Sequence, residues 1–467
     1  MKNIRFLAAI ALTCWLGGCA VPARPPALVD NAAPQWYAPL PHDGRLADLT
    51  QWWQRFDDPL LVQLIDSAQS VSPNVATALS RIGQARAIQT SARAALLPTL
   101  DGQASLARGN LQLPGTPATS LQAGLLGGWE IDIFGANRDA LQATDIRLQA
   151  AQAGWHEARV LVAAETAVTY LNLRSCERQL GIASSDARSR SESSRLAELT
   201  VRAGFTAPAN AALARAGAAE ASARATQQRA QCDIEVKALV ALSGLAEPSL
   251  RRQLEVPWQE PNQAALMPIV SMPAQLLAQR PDIYRAERDV AAASAEIGSA
   301  QAQRYPRLSL NGSIAAGIVH FGGAGSDAQT WSIGPLALTV PLFDGGRRAA
   351  NVDAAAARYE EAVARYSGRV RQAVREVEEA LVTLESARAR LENARLAADG
   401  YRISFAATEA RYRSGLGTLI ELEDARRTAF AAETALVLLM RERMTAWISL
   451  YRAAGGGWAR PDFAPSS

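Results

Sequence analysis

A chain that is written twice must fold into something built from two similar halves. "SPNVATALSRI" from Ser72 matches "RPDIYRAERDV" from Arg280, which sets Pro73 on Pro281 at an offset of 208. "AALLPTLDGQASL" matches "AQRYPRLSLNGSI" with Pro98 on Pro306, again 208. "EIDIFGANR" matches "VPLFDGGRR" with Phe134 on Phe343 at 209, and "VRAGFTAPANAALARA" matches "YRSGLGTLIELEDARR" with Gly204 on Gly415 at 211. Four ordered anchors at a nearly constant offset mark a duplicated unit of about 210 residues, too long for a solenoid repeat.

The order of elements repeats within each half. A helical segment after Pro73 or Pro281 ends near Pro98 or Pro306, which opens a stretch of period two. In "LQAGLLGGWEIDIF" the residues Leu121, Ala123, Leu125, Trp129, Ile131 and Ile133 are apolar, while Gln122, Glu130 and Asp132 face the other way. That pattern predicts a strand with one greasy and one wet face. Leu308, Leu310, Ile314 and Ile318 alternate with Ser309, Asn311 and Ser313 in the same manner. In the fourth strand the phase slips at Gly334-Pro335, from Trp331 and Ile333 to Leu336, Leu338 and Val340, as a bulge requires. Each half supplies two strands, four per chain. Transmembrane barrels need at least about eight, so the chain must oligomerise or pair with other sheets, and a soluble sandwich stays open at this point. Past the N-terminus no apolar run reaches the length of a spanning helix, so a membrane protein of this kind must use a β-barrel.

The intervening helices are long. No proline occurs from 118 to 207 or from 342 to 460, and apolar residues from Val352 through Tyr359, Tyr366, Val377 and Leu391 to Ala398 keep a strict 4,3 spacing. A sustained heptad marks supercoiled helices. A helix from about 344 to 411 would be roughly 100 Å long. Shorter helices return after Gly204 and Gly415, which sit at the far turns of two helical hairpins and supply the left-handed conformation that ends a helix. Cys176 and Cys232 have their midpoint at 204, so an antiparallel hairpin turning at Gly204 sets them side by side. We expect a disulfide there, about 42 Å above the tip.

The N-terminus "MKNIRFLAAIALTCWLGGCA" carries Lys2 and Arg5 before an apolar run, the parts of a secretory signal. Leu-Gly-Gly-Cys resembles the lipobox of bacterial lipoproteins, which implies an acylated Cys19 as the mature N-terminus; Ala20 after it points to the outer membrane. Removing Lys2 and Arg5 from 48 basic residues leaves 46 against 45 acidic ones, a net charge of +1 that gives no sign of nucleic acid. His42, His156 and His320 lack ligand spacing, and no glycine-rich phosphate loop follows a strand. The sequence therefore predicts no metal, no cofactor and no enzyme. Four mature methionines, Met267, Met272, Met440 and Met444, argue against a methionine-lined copper route.

"WWQRFDDPLLVQLI" from Trp52, "LLAQRPDIYRAERDVAAASAEIGSAQAQRYPRLSL" from Leu276, "RYRSGLGTLIELEDAR" from Arg411 and "LYRAAGGGW" from Leu450 resemble the outer membrane efflux channels of Gram-negative bacteria, the TolC-like proteins. More narrowly, the chain resembles their NodT-type lipoprotein branch, which serves resistance-nodulation-division (RND) pumps. The resemblance implies a mainly α chain with a membrane β-barrel: a homotrimer with one twelve-stranded barrel and a twelve-helix periplasmic tunnel. It implies a passive duct for drugs or other small toxic compounds, partnered by a periplasmic adaptor and an inner-membrane RND pump. The lipid anchor would be Cys19. The expected layout is a signal peptide at 1–18, an anchor and extended segment at 19–71, channel repeats at 72–260 and 261–454, and a tail at 455–467. A lipid-anchored periplasmic coiled-coil adaptor and the channel of a type I secretion system are the alternatives.

By the same resemblance the constricting carboxylates map onto Glu421 and Asp424, three apart and so on one helical face, and the apolar ring maps onto Ile420. Tyr412 and Arg413 match positions that tether neighbouring helices shut. Gly417 stands where some members have a tethering arginine, and Asn210 where some have its aspartate partner.

Overall fold

The structure is a computed structural model that describes Tyr37, residues 52–110, 117–259, 277–321 and 324–458, and Arg460. Cys19, the signal segment, His42, Met267 and Met272 lie outside the described residues. A short 3-10 turn, Trp52–Phe56, leads into α1 (Pro59–Val71), α2 (Pro73–Ala94), β1 (Thr99–Asn110), β2 (Pro117–Ile131), α3 (Ala136–Arg202), α4 (Pro208–Ser243) and α5 (Glu247–Leu254). The second half gives α6 (Pro281–Ala302), β3 (Arg307–Phe321), β4 (Ala324–Thr339), α7 (Arg347–Arg413) and α8 (Leu419–Ala453). Helices α3 and α7 each run 67 residues unbroken. Two compact units cut across both repeats: one holds Ser80–Ala153 with Arg285–Gly368, the other Asp30–Leu79, Gly154–Tyr284 and Arg369–Ser467.

The first unit is organised by a four-stranded antiparallel sheet in the order β1-β2-β3-β4. Its register resolves two faces. Leu121 lies opposite Leu106 and Ile318, Leu125 opposite Gly102 and Ile314, and Trp129 opposite Leu310, which itself faces Leu336. The other face carries Gln103, Gln122, Glu130, Ser309 and Ser313, with the Ser313 and Ser332 hydroxyls 2.9 Å apart. The phase slip at Gly334-Pro335 is a bulge: Leu310 pairs with Leu336 but Gly312 with Ile333, two steps on β3 against three on β4. Pro335 has no N–H to lose, so the extra residue is tolerated there. Two strand ends need correction: β4 stops at Thr339, so Val340 lies past it, and β2 stops at Ile131, so Ile133 lies past it, its N–H turned back onto the Ile131 carbonyl at 2.9 Å.

The second unit has the larger core. Trp52 stacks on Tyr451 at 4.6 Å between ring centres, with Trp53 and Phe56 edge-on around them. Asp58 caps α1 through the N–H groups of Leu60 and Leu61, and its second oxygen accepts the Tyr170 hydroxyl at 2.6 Å. Buried Arg280 donates to Asp282 and Glu376 and, at 3.0 Å, to the Ala453 carbonyl at the end of α8. The Arg-Pro-Asp block is thus the C-terminal lock of α8. The following Gly455, Gly456 and Gly457 all have positive φ, and a side chain on Gly455 would run into the Gln279 backbone.

The heptad seam read from Val352 to Ala398 is buried or half-buried at every step named above. Cys176 and Cys232 are joined by a disulfide with their Cα atoms 5.5 Å apart, tying α3 to α4.

Candidate channel tip

Two helical hairpins end in matched turns. At the end of α3 the Gly204 N–H reaches the Val201 carbonyl at 3.0 Å and the Phe205 N–H reaches Thr200 at 2.9 Å. At the end of α7 Gly415 reaches Tyr412 at 3.0 Å and Leu416 reaches Arg411 at 2.9 Å. Both are Schellman turns, and the glycines have φ of 78° and 75°. In such turns an apolar residue after the glycine commonly folds back onto the helix. Here Phe205 and Leu416 are 83% and 72% exposed, so each tip presents a bare apolar side chain.

The restart differs between the hairpins. Pro208 opens α4 after Ala207, which provides no side-chain cap. Thr418 caps α8 in a reciprocal box: its hydroxyl accepts the Glu421 N–H at 3.2 Å and its own N–H donates to the Glu421 carboxylate at 3.0 Å. That backbone N–H holds the Glu421 carboxyl below the usual carboxylate range, with Arg411 adding to the effect. Asp424 is exposed and paired with Arg427 at 2.9 Å, while Ile420 is 67% exposed. Ile420, Glu421 and Asp424 therefore stand on the first turns of α8, outside the protomer's own core.

Tyr412 is half-buried against Ala197, Ala211, Ala214 and Leu419, and burial raises its phenol above the ordinary value. Arg413 pairs with Glu409 on its own helix at 3.3 Å. Asn210 is exposed in the first turn of α4, its N–H on Ala207. Among the described residues no hydrogen bond joins Asn210 to Tyr412 or Arg413.

What sequence reasoning missed is a buried charge cluster behind the tip. Arg426, whose side chain is 2% exposed, donates to the Ser189 and Ser193 hydroxyls at 3.0 and 2.9 Å and pairs with Glu423. Arg190 donates its Nε–H to both Asp186 carboxylate oxygens at 3.0 and 3.1 Å and also pairs with Glu423; Arg224 reaches Asp186 at 3.3 Å. Helices α3, α4 and α8 are thereby linked, and Ser189 extends the linkage to Glu409 on α7 at 2.9 Å. The signal was present: Leu419, Leu422, Arg426 and Ala429 keep a 3,4,3 spacing, which sets the arginine on the apolar seam.

Among the described residues no helix is long and apolar enough to cross a membrane, and no three His, Cys, Asp or Glu side chains are placed to hold a metal ion. A duplicated chain with a two-faced antiparallel sheet and paired helical hairpins has the layout of the outer membrane efflux channels. The chain belongs to the outer membrane efflux protein family, whose sequence profile matches residues 64–245 and 272–456, one match for each repeat. The pyoverdine export outer membrane protein OpmQ of Pseudomonas aeruginosa is 30% identical over 98% of this chain and 97% of its own length. Outer membrane protein OprJ of the same organism is 31% identical over 96% and 95%. The solved outer-membrane channel OprN superposes with a TM-score of 0.80 at 29% identity, covering 92% of this chain and 98% of that one. The Campylobacter jejuni CmeC channel shares the fold at a TM-score of 0.79 and 24% identity. Membership places the chain among transport ducts of efflux pumps rather than enzymes.

Proposed function

We propose that the protein is the outer membrane exit duct of a tripartite efflux pump, a passive homotrimer that carries drugs or other small toxic compounds outward. The observation that carries this reading is the two-faced sheet. Its apolar face is bare in a single chain, with Leu100, Leu106 and Ile333 at 70%, 72% and 83% exposure. From Leu121 to Ile131 that face runs about 34 Å along the strand, or about 26 Å when tilted by about 40°, close to the apolar band of an outer membrane barrel. Three chains supply twelve strands and leave no free edge. The polar face then lines a wet lumen. Acylated Cys19 anchors each chain in the outer membrane, and the helices stand in the periplasm.

The bare Phe205 and Leu416 at the hairpin turns are the surface for a periplasmic adaptor, which connects the duct to an inner-membrane RND pump. The gate is the ring of Ile420, Glu421 and Asp424 from three copies, held by Tyr412 and Arg413. The solvent efflux protein SrpC of Pseudomonas putida, 28% identical over 86% of this chain and 87% of its own length, supports small organic molecules as the cargo class.

Mass measurement and planar-bilayer recording of detergent-purified protein test the reading together. A mass of three chains with stepwise conductance is expected. A monomer that inserts without conductance overturns it.

A further inference from the structure

Cys176 on α3 and Cys232 on α4 are bridged inside a core that their own hairpin does not complete. They are 4% and 7% exposed, and they share one buried cluster with Val377, Leu381 and Leu384 of α7 and with Met444 and Trp447 of α8. The side-chain amide of Gln228, one turn before Cys232, covers Cys176 Sγ at 3.1 Å. The two cysteines are 56 residues apart, whereas α7 and α8 belong to the second repeat and follow both of them in the chain. One hairpin is enough to bring the thiols together. Enclosing them takes the other hairpin as well.

Disulfide exchange requires a thiolate and a disulfide sulfur to meet and form a mixed disulfide. Sulfurs enclosed to this degree admit no such partner, so a chain that folded first would hold two trapped thiols. Time sets a second bound. Helix α8 ends roughly 220 residues after Cys232, about 10–45 s of synthesis. Oxidation by a good oxidant takes seconds, whereas a poor one needs up to hours. The choice of partner is also restricted. Of the four cysteines, Cys14 lies in the signal segment and Cys19 is the proposed lipid attachment, where its sulfur would be a thioether. Only one disulfide can then be drawn.

We infer that Cys176 and Cys232 are joined before α7 and α8 dock, by exchange with a disulfide-bearing thiol oxidant of the periplasm, and that no disulfide isomerase takes part. One cysteine thiolate attacks the oxidant's disulfide and forms a mixed disulfide. The second thiolate then displaces the oxidant's sulfur, closing the bridge. Two electrons and two protons leave the chain on the oxidant, which departs as a dithiol. Docking of the second repeat then encloses the bridge and protects it from reduction. The inference rests on the periplasmic, lipid-anchored reading and adds the reaction that must precede folding of the helical core.

Pulse-labelled full-length chains test the order. They are quenched with acid, alkylated in denaturant with a maleimide polymer, and compared with parallel samples exposed to protease. The bridged form should appear before protease resistance; a bridge found only in resistant chains overturns the order. Cells lacking the thiol oxidant should yield chains with two alkylatable thiols, and cells lacking the disulfide isomerase should yield none. Bridging that survives loss of the oxidant, or fails without the isomerase, overturns the assigned reaction. Purified native protein in dithiothreitol should lose the bridge at least ten-fold more slowly than in denaturant, and equal rates overturn the enclosure. A third reactive thiol would be Cys19 and would sink the anchor reading together with the independence from isomerase. Late bridging with no third thiol sinks the present inference alone.

Discussion

Arg426 on α8 donates to the Ser193 hydroxyl on α3 at 2.9 Å, from a guanidinium that is almost fully enclosed. Enclosing an arginine is tolerable only because Glu423 and Asp186 lie beside it. Arg426→Met leaves Glu423 with one partner fewer and should destabilise the detergent-purified protein by about 3 kcal/mol in denaturant unfolding. Adding Glu423→Leu should recover more than about 1 kcal/mol, since both members of the pair are then gone. A double variant weaker than the single one would show that the cluster is not coupled in this way.

The proposed gate can be discharged without dismantling the cap. Glutamine at position 421 still closes the box with Thr418, whereas alanine cannot. Glu421→Gln with Asp424→Asn should therefore leave helix content and thermal stability in place while lowering cation selectivity in planar bilayers. Unchanged selectivity and conductance would place the constriction elsewhere.

The turn glycines have open space around them, so their substitution isolates backbone strain. Gly204→Ala or Gly415→Ala should each cost about 1 kcal/mol, from the left-handed conformation alone. Amide exchange should speed up in the last turns of α3 or α7 and nowhere in the sheet.

The Cys176–Cys232 bridge spans 56 residues of sequence. The chain-entropy estimate for such a loop is about 4 kcal/mol, an upper bound for a hairpin whose helices also pack together. Labelling unreduced, denatured protein with a thiol reagent should find neither cysteine reactive. Cys176→Ala with Cys232→Ala should lower stability by about 2–4 kcal/mol and leave single-channel conductance unchanged.

The two faces of the sheet predict opposite tolerances. Leu125→Arg puts a charge on the apolar face and should cost about 2–4 kcal/mol near mid-membrane, read as loss of outer membrane insertion. Gln122→Arg on the wet face should insert normally and change only ion selectivity. Equal insertion of the two would contradict the assignment of faces.

Periodicity and repetition made much of this protein legible in one dimension. The duplication shows on matching the sequence against itself, and the bulge at Gly334-Pro335, the inner heptad and the turns at Gly204 and Gly415 are local, because each depends on residues a few positions apart in one helix or strand. The acidic knot after Gly415 shows where that legibility ends. Sequence marks Glu421, Glu423 and Asp424 alike as acidic residues in a first helical turn. Tertiary packing gives them three fates: Glu421 closes the cap of α8, Asp424 stays in solvent beside Arg427, and Glu423 turns inward to Arg190 and Arg426. Which of three neighbouring carboxylates turns inward depends on an arginine 233 residues away in the chain and on Arg426, itself held by serines of another helix. A periodic pattern specifies which face of a helix is turned inward. Only the packed helices decide what that face meets, because burying a charge is stable only where its partner already stands.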